Sequence, residues 1–475
     1  MINIKKYFIL PVLGAALLLQ GCDKDLDLKP TDSITGDIAF TAVADLESGL
    51  VGAYAALGNN DINLSNYLSD ESYYPIENNT GRGAIQYRWE YDSSDGTLAN
   101  NFVNLYATIN RVNQVLIAFD RVQATSATET ATKNKVKGEL LALRAYAHFQ
   151  LLKSYASGYN GTDLGIAYID EKTAGVFIKP SRLSVAESFA RIEADLTTAK
   201  GLIPTSFTDN TRITNKGVAA IQARVYLYEQ KWDLAIAATT EVINAIPLAT
   251  IAQFSNIWTD AGNNEVVWKL KRVSGDARIG DLFASTANAV EFAASPKIIA
   301  ALTATTPLVD VRFANYLKIT PGRGTNKTPN LISKYYGGNS ATRNLADIKL
   351  FRTSEMYLIR AEAYAEKENY LLAVGDVNTL RRNRITGYVD LATYADKPSA
   401  VADVYLERFR ELAWEGHRYF DLRRRGLAID RLPLAPDDNS GGAVNLTSAK
   451  KQYFMPISTA EILANPNYTQ NPVWK

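Results

Sequence analysis

The strongest constraint on the fold is a pattern that occurs twice. Residues 223–235 read ARVYLYEQKWDLA and residues 361–373 read AEAYAEKENYLLA, in register at an offset of 138 residues without a gap. In each copy an alanine-bearing helical stretch (Ala223 and Tyr226; Ala361 and Tyr364) runs into a short polar turn closed by an aromatic residue (Trp232; Tyr370). A second stretch then carries a small residue, Ala235 or Ala373. Small alanines let two helices approach closely, and the aromatic fills the gap beside them. Such a unit cannot bury its apolar face alone, so copies must stack. A looser copy lies at 141–154, and Pro247 stands where a unit of this kind ends.

The pattern resembles the tetratricopeptide helical pair, and the rest of the chain supports a mainly α fold. Leu140, Leu141, Ala145, Phe149, Leu152 and Tyr155 form a stripe at helical spacing. Ser184 with Glu187, and Ser458 with Glu461, have the spacing of a capping box, in which each side chain satisfies a free N–H of the first helical turn. Phe189, Ile192 and Leu196 follow on one face, closed by Gly201 and Pro204. The expected fold is an α-helical repeat scaffold of tetratricopeptide type, with long irregular loops and a few short strands.

The N-terminus predicts where the protein resides. Lys5 and Lys6 precede an apolar stretch from Tyr7 to Leu19, interrupted by Pro11. It is too short to span ~30 Å of hydrocarbon and reads as a signal peptide over residues 1–21. Leu19, Gln20, Gly21 and Cys22 resemble a lipobox, and Cys22 is the only cysteine of the chain. Cleavage before Cys22 would leave a lipidated cysteine, then a polar tether over 22–35 and a single domain over 36–475. Acyl chains at ~0.8 kcal/mol per buried methylene would hold it to a membrane. Lys and Arg total 51 and Asp and Glu 50, so the net charge is 51 − 50 = +1. That gives no electrostatic case for nucleic acid.

The residues offer no obvious catalytic set. There are two histidines. His148 stands mid-helix among core-type residues and His417 beside Trp414 and Phe420, so both read as structural. Two histidines and one cysteine argue against a zinc site of the usual Cys/His kind, the Asp/Asn-rich loops hold no EF-hand pattern, and no cofactor or metal is expected. Two irregular segments break the helical pattern, about 59–101 and 250–344, and connections this long are usually functional. The first holds Asp70, Glu71, Tyr73, Tyr74, Arg82, Tyr87, Trp89, Tyr91 and Asp92. Exposed aromatic faces would stack on sugar rings while Asp and Arg bond hydroxyls. The alternative is that these aromatics pin the loop to the helices. The second segment holds the strand-like run 265–270. Residues 406–424 read as one charged helix, with Arg410, Glu411, Glu415, Arg418, Asp421 and Arg424 spaced for local ion pairs and Leu412, Trp414 and Phe420 packing inward.

These motifs together resemble the SusD/RagB family. The likeness rests on the lipobox with the following DLDLKP, on LVGAYAAL at 50–57, on RFRELAWEGHRYFDLR at 408–423, and on the ending from Pro456 to Pro472. It also takes in residues 216–243 and 352–384. It implies a non-catalytic, surface-exposed outer-membrane lipoprotein that captures a nutrient, usually a glycan and sometimes a peptide, as the lid of a SusC-type TonB-dependent transporter. It implies four tetratricopeptide-like units with the irregular segments as the ligand face. By segment, it points to Asp70, Arg82, Trp89 and Tyr91 as ligand-binding residues, with Phe283 and Phe292 from the second segment. The second segment has no tryptophan between Trp268 and Trp414, which departs from a starch-like aromatic arc. Two rival functions are a surface glycoside hydrolase using Asp70 or Glu71 and a purely structural partner of the transporter.

Overall fold

The two copies of the sequence pattern become two copies of one helical hairpin. The computed structural model describes residues 39–175, 177–285, 289–439 and 441–475. In it the first copy is Asn215–Tyr228 with Trp232–Ala245, and the second is Thr353–Glu366 with Tyr370–Arg382. The register extends to the turns. Gln230 and Glu368 both take a left-handed conformation, with φ of 57° and 60°. The following amide donates back to the matching tyrosine of its own hairpin, Lys231 N to Tyr226 O at 2.9 Å and Asn369 N to Tyr364 O at 2.8 Å. Ala223, Ala235, Ala361 and Ala373 are all fully buried at the contacts between helices.

The scaffold extends on both sides of these hairpins. Before them, Gly96–Ala118 packs on Ala127–Tyr155, which packs on Val185–Leu202. The Ser184–Glu187 capping box forms in full. At Ser458 only half of it forms, the serine accepting from the Glu461 amide. The stripe expected on one side of 137–155 is a larger feature. Every residue from Gly138 to Tyr155 is buried, so this helix is surrounded rather than amphipathic. Gly138 allows the close packing, since a Cβ there would lie 2.7 Å from Ile203 Cγ1.

The charged C-terminal run is two helices. Lys397–Glu411 ends, the chain turns through Trp414 (φ 61°) and Gly416 (φ 85°), and Arg418–Arg424 follows. Gly416 is required on two counts: its φ is left-handed, and a Cβ would meet Asp61 at 3.0 Å. Leu412, Trp414 and Phe420 do pack inward.

Six short strands matter for the site: β1 (Ser72–Tyr73), β2 (Val266–Leu270), β3 (Ala293–Ala294), β4 (Leu317–Ile319), β5 (Asn330–Ile332) and β6 (Ile348–Arg352). The strand-like run at 265–270 is β2, antiparallel to β6. The other four form one sheet in the order β1-β3-β5-β4. A contiguous apolar core runs from Val43 to Tyr468, with small satellite clusters around the second hairpin. No described helix is long and apolar enough to cross a membrane. The lipobox, Cys22 and the 22–35 tether lie outside the described residues.

Candidate functional site

The four-stranded sheet joins the two irregular segments into one face. β1 comes from the first segment and pairs with β3 of the second, Ser72 opposite Ala294 and Tyr73 opposite Ala293. β3 pairs with β5, and β5 with β4 at the sheet edge. Arg323 reinforces the union by bonding Glu77 from across the sequence.

Five of the six residues expected to bind ligand lie inside the protein, which corrects that expectation. Asp70 is 1% exposed and bidentate with Arg418, at 2.7 and 2.9 Å, with Lys297 at 3.0 Å. Trp89 is 5% exposed, donates Nε1–H to Leu68 O and lies under the Arg431 guanidinium at 3.8 Å. Tyr91 donates to the Gln452 carbonyl and stacks on Trp474. Phe283 stacks on Tyr335, and Phe292 is enclosed by Tyr67, Tyr74 and Tyr87. A ring covered on both faces cannot receive a sugar. These aromatics close the loop segments over the core. Arg82 alone of the six is exposed, donating Nη1–H to Asp281 O at 2.9 Å.

The titratable groups singled out in the sequence are also internal. Burial, then the Arg144 charge, pushes the His148 imidazole down to about 3. Its Nε2 accepts from the Ile169 amide while its ring stacks on Tyr168. Burial, then Arg224, likewise holds His417 well below its usual range. Burial alone would raise the Asp70 carboxyl, but Arg418 and Lys297 outweigh it and hold it at about 2. Burial and the Asp70 charge push neighbouring Glu71 up to about 8. Among the described residues, no three His, Cys, Asp or Glu are placed to hold a metal ion.

The C-terminal motif pairs its charges mainly across the fold rather than along one helix. Arg352 bonds Glu265, Glu411 and Glu415, and Arg384 bonds Glu265 and Glu411. Arg312 bonds Asp310 and Glu407 with Glu411 at 3.3 Å, and Lys334 bonds Glu415 at 2.7 Å. Side chains throughout this cluster are 0–3% exposed. Local pairs do occur, as between Arg424 and Asp421.

What remains open at the loop face is a recess of about 390 Å³ beside β4 and β5, lined by Lys318, Thr320, Arg323, Lys327, Tyr336 and Arg343 together with Leu331. Its volume is within the ~300–1,000 Å³ usual for ligand sites. Arg343 lies over the Tyr336 ring at 4.4 Å. The next residue, Asn344, bonds Asp281, whose carbonyl receives Arg82, so the one exposed candidate adjoins the recess wall. None of the recess residues was singled out from the sequence. A signal was present: from 311 to 346 there are six Lys and Arg and no Asp or Glu. Two other hollows, each of about 480 Å³, are mainly apolar and lie on the helical scaffold.

Residues 314–474 match the model of the SusD family, and residues 24–227 match a second model, described as starch-binding and associating with the outer membrane. The chain belongs to the SusD/RagB family. It is 23% identical to SusD-like protein P38 of Formosa agariphila over 98% of this chain and 97% of the relative. It is 35% identical to the starch-binding protein SusD of Bacteroides thetaiotaomicron over 159 residues, 33% of this chain and 27% of that one. A SusD superfamily protein of Bacteroides thetaiotaomicron has the same fold, with a TM-score of 0.81 at 23% identity over 91% of this chain and 100% of the other. The helical-repeat scaffold is thus that of the SusD superfamily.

Proposed function

We propose that the protein is a cell-surface lipoprotein, anchored in the outer membrane through Cys22, that captures a poly- or oligosaccharide and delivers it to a SusC-type TonB-dependent transporter. The observation that carries this reading is the sheet that brings residues 72–73, 293–294, 317–319 and 330–332 into one loop face on a SusD-type scaffold, with an open polar recess at its edge. Family membership and the starch-binding name of one relative support a glycan as the nutrient. The protein itself performs no chemistry. Asp70 and Glu71, the pair a hydrolase would need, are each 1% exposed and cannot reach a glycosidic bond. Capture therefore rests on reversible contacts at the face, and uptake on the transporter's energy.

The test uses the full-length protein purified with its lipid. Co-purification with an outer-membrane transporter, and saturable binding of one glycan class by calorimetry without turnover, are expected. A protein that binds only peptides would make the nutrient a peptide, and one that associates with the transporter and binds nothing would be its structural partner.

A further inference from the structure

We propose that the hollow between the helix Gly96–Ala118 and the C-terminal helix Thr459–Ala464 is a second binding site, taking an ammonium group carried on an apolar body. It lies on the helical scaffold and is independent of the glycan-binding reading.

The hollow, of about 480 Å³, forms where three stretches of chain meet. Val103, Ala107 and Asn110 line it from the exposed side of the long helix, residues 178–180 from a connecting segment, and Glu461 and Ala464 from the C-terminal helix. Hydrogen bonds fix the last two stretches to each other. Asn465 donates to Pro180 O at 2.9 Å and Asn467 to Lys179 O at 2.7 Å, and Arg182 adds bonds to Thr469 O and Asn471. The walls are therefore set before a ligand arrives. Tyr106 is half-buried, and its hydroxyl already donates to Ala167 O at 2.8 Å, which leaves its ring as what it offers. Phe102 packs against both Tyr106 and Tyr468. Val103 and Ile178, 56% and 43% exposed, leave apolar surface uncovered.

One carboxylate opens into this mainly apolar space. Glu461 has the capping-box spacing from Ser458, yet its side chain does not close the box. Two other glutamates show the alternative. Glu187 accepts from the Ser184 amide at 2.9 Å and Glu129 from the Thr125 amide at 2.6 Å, and those bonds hold both carboxyls below their ordinary value. Glu461 forgoes that bond, and among the described residues its carboxylate has no hydrogen-bond or ion-pair partner. Burial pushes it up instead, against the opposing pull of Lys179. It is not sealed in the core: the residue is half-buried and lines the open hollow. Lys179 lines the hollow too, but it is exposed and does not bond the carboxylate, and exposed ion pairs are weak competitors. A ligand ammonium supplies the missing partner through a charge-assisted bond, strengthened where the ligand's own apolar body displaces water. That body covers Val103 and Ile178, and a cation is favoured beside the Tyr106 ring. A neutral ligand of the same shape would cover the carboxylate unpaired and an anionic one would oppose it, so the hollow discriminates by charge.

Full-length protein in neutral detergent is titrated with phenethylamine, phenethyl alcohol and hydrocinnamate, probes of one shape that differ in charge. Ligand-observed NMR follows each, with detergent alone as the blank. The amine should bind about tenfold or more tighter than either of the others. Glu461→Gln, nearly the same in shape, should cost the amine about tenfold and leave the alcohol unchanged. Ala107→Trp, which fills the hollow from an exposed helical position, should abolish amine binding. Glu368→Gln, at an exposed position on the second hairpin, should change nothing. Melting curves exclude misfolding of each variant. Equal affinity for amine and alcohol, amine binding untouched by Glu461→Gln, or hydrocinnamate binding tightest overturns the proposal. Glycan binding by the Glu461→Gln protein should equal that of wild type. Its loss would make the hollow part of the glycan site and overturn the proposal of a second one.

Discussion

Residues 311–346 carry six cations and no acid, and the fold divides them between two places. Arg312 and Lys334 turn inward, to Asp310, Glu407 and Glu415, where their side chains are fully buried. Lys318, Arg323, Lys327 and Arg343 line the recess, where Glu77 bonds Arg323 and Lys327. The inward pair completes a network in which Glu411 alone receives bonds from Arg312, Arg352 and Arg384. Burying an ion is expensive unless it is paired or hydrogen-bonded, and the interior meets this either with acids, as here, or with carbonyls, as at Arg423 and Arg431. The surface recess is not under that constraint, since water can solvate an excess of charge. Inside, each cation of this pair is held between acids; at the recess the charge stands beside solvent.

Breaking the compensated region should have the largest effect. Removing Glu411 strips three buried guanidinium groups of a partner at once. Burial alone would raise its carboxyl, and Arg384, Arg352 and Arg312 more than reverse that, holding it far below the usual range. Glu411→Ala is expected to cost about 5 kcal/mol, the upper end for removing one member of a buried pair. Urea unfolding measures it, and a loss below about 1 kcal/mol would mean the network is dispensable.

The next effect is that of Trp89→Ala, expected at about 3–4 kcal/mol from the lost packing of a large buried ring. Arg431, stacked between Tyr87 and Trp89 at 3.7 and 3.8 Å, loses one of its two aromatic neighbours. The sequence reading places Trp89 among the ligand-binding residues, where its loss would act on binding. Its burial inverts that expectation. A Trp89→Ala protein with wild-type stability and no glycan binding would restore it.

Why Trp89 misled while the repeat did not is a matter of range. The hairpins are set by local spacing, so Ala223, Trp232 and their counterparts 138 residues on declared them, down to the shared left-handed turns at Gln230 and Glu368. The family motifs were equally legible because they are contiguous. Residues 406–424 were harder: helical charge spacing cannot reveal that Arg418 pairs with Asp70, 348 residues away, or that Gly416 breaks the helix against Asp61. For the ligand face, aromatic content marked the right segments but not which way their rings point. That depends on pairing β1 with β3, a contact no local pattern encodes. The charge imbalance of 311–346 was readable, yet a sum over the whole chain hid it, and only the fold separates Arg312 and Lys334 from the four cations that remain.

The neighbours Asp70 and Glu71 sharpen the same comparison within two residues, one compensated and one not. Asp70 is held at about 2, below its ordinary value, so its contribution is full above about pH 4 and is lost as pH falls toward 2. Glu71 has the opposite sign. Raised from 4.5 to about 8, it favours the folded state fully below about pH 4.5, and that contribution is lost as pH rises through 8. Ionising this carboxyl should lower stability on the order of 3 kcal/mol between pH 5 and pH 8. Glu71→Gln cannot ionise, so its stability should stay flat over that window while the acid-side loss from Asp70 persists. Denaturation midpoints at pH 5, 7 and 8.5 decide it, and parallel curves for wild type and variant would mean Glu71 is charged in its cavity.

The smallest expected change is the most informative about the recess. Lys318 is exposed and faces three other cations across a space with one acid behind it. If its charge were structural, Lys318→Gln would destabilise by about 1 kcal/mol or more, as loss of a real ion pair does. If Lys318 only adds to the positive charge around the recess, removing it relieves repulsion. The variant should then be unchanged or more stable by up to about 0.5 kcal/mol, with the gain fading as salt screens the remaining charges. Thermal unfolding of wild type and variant at low and high salt separates the two. A gain at low salt that vanishes at high salt identifies strain stored in like charges. A loss at both would mean that Lys318 is compensated after all, and that this face follows the same rule as the core.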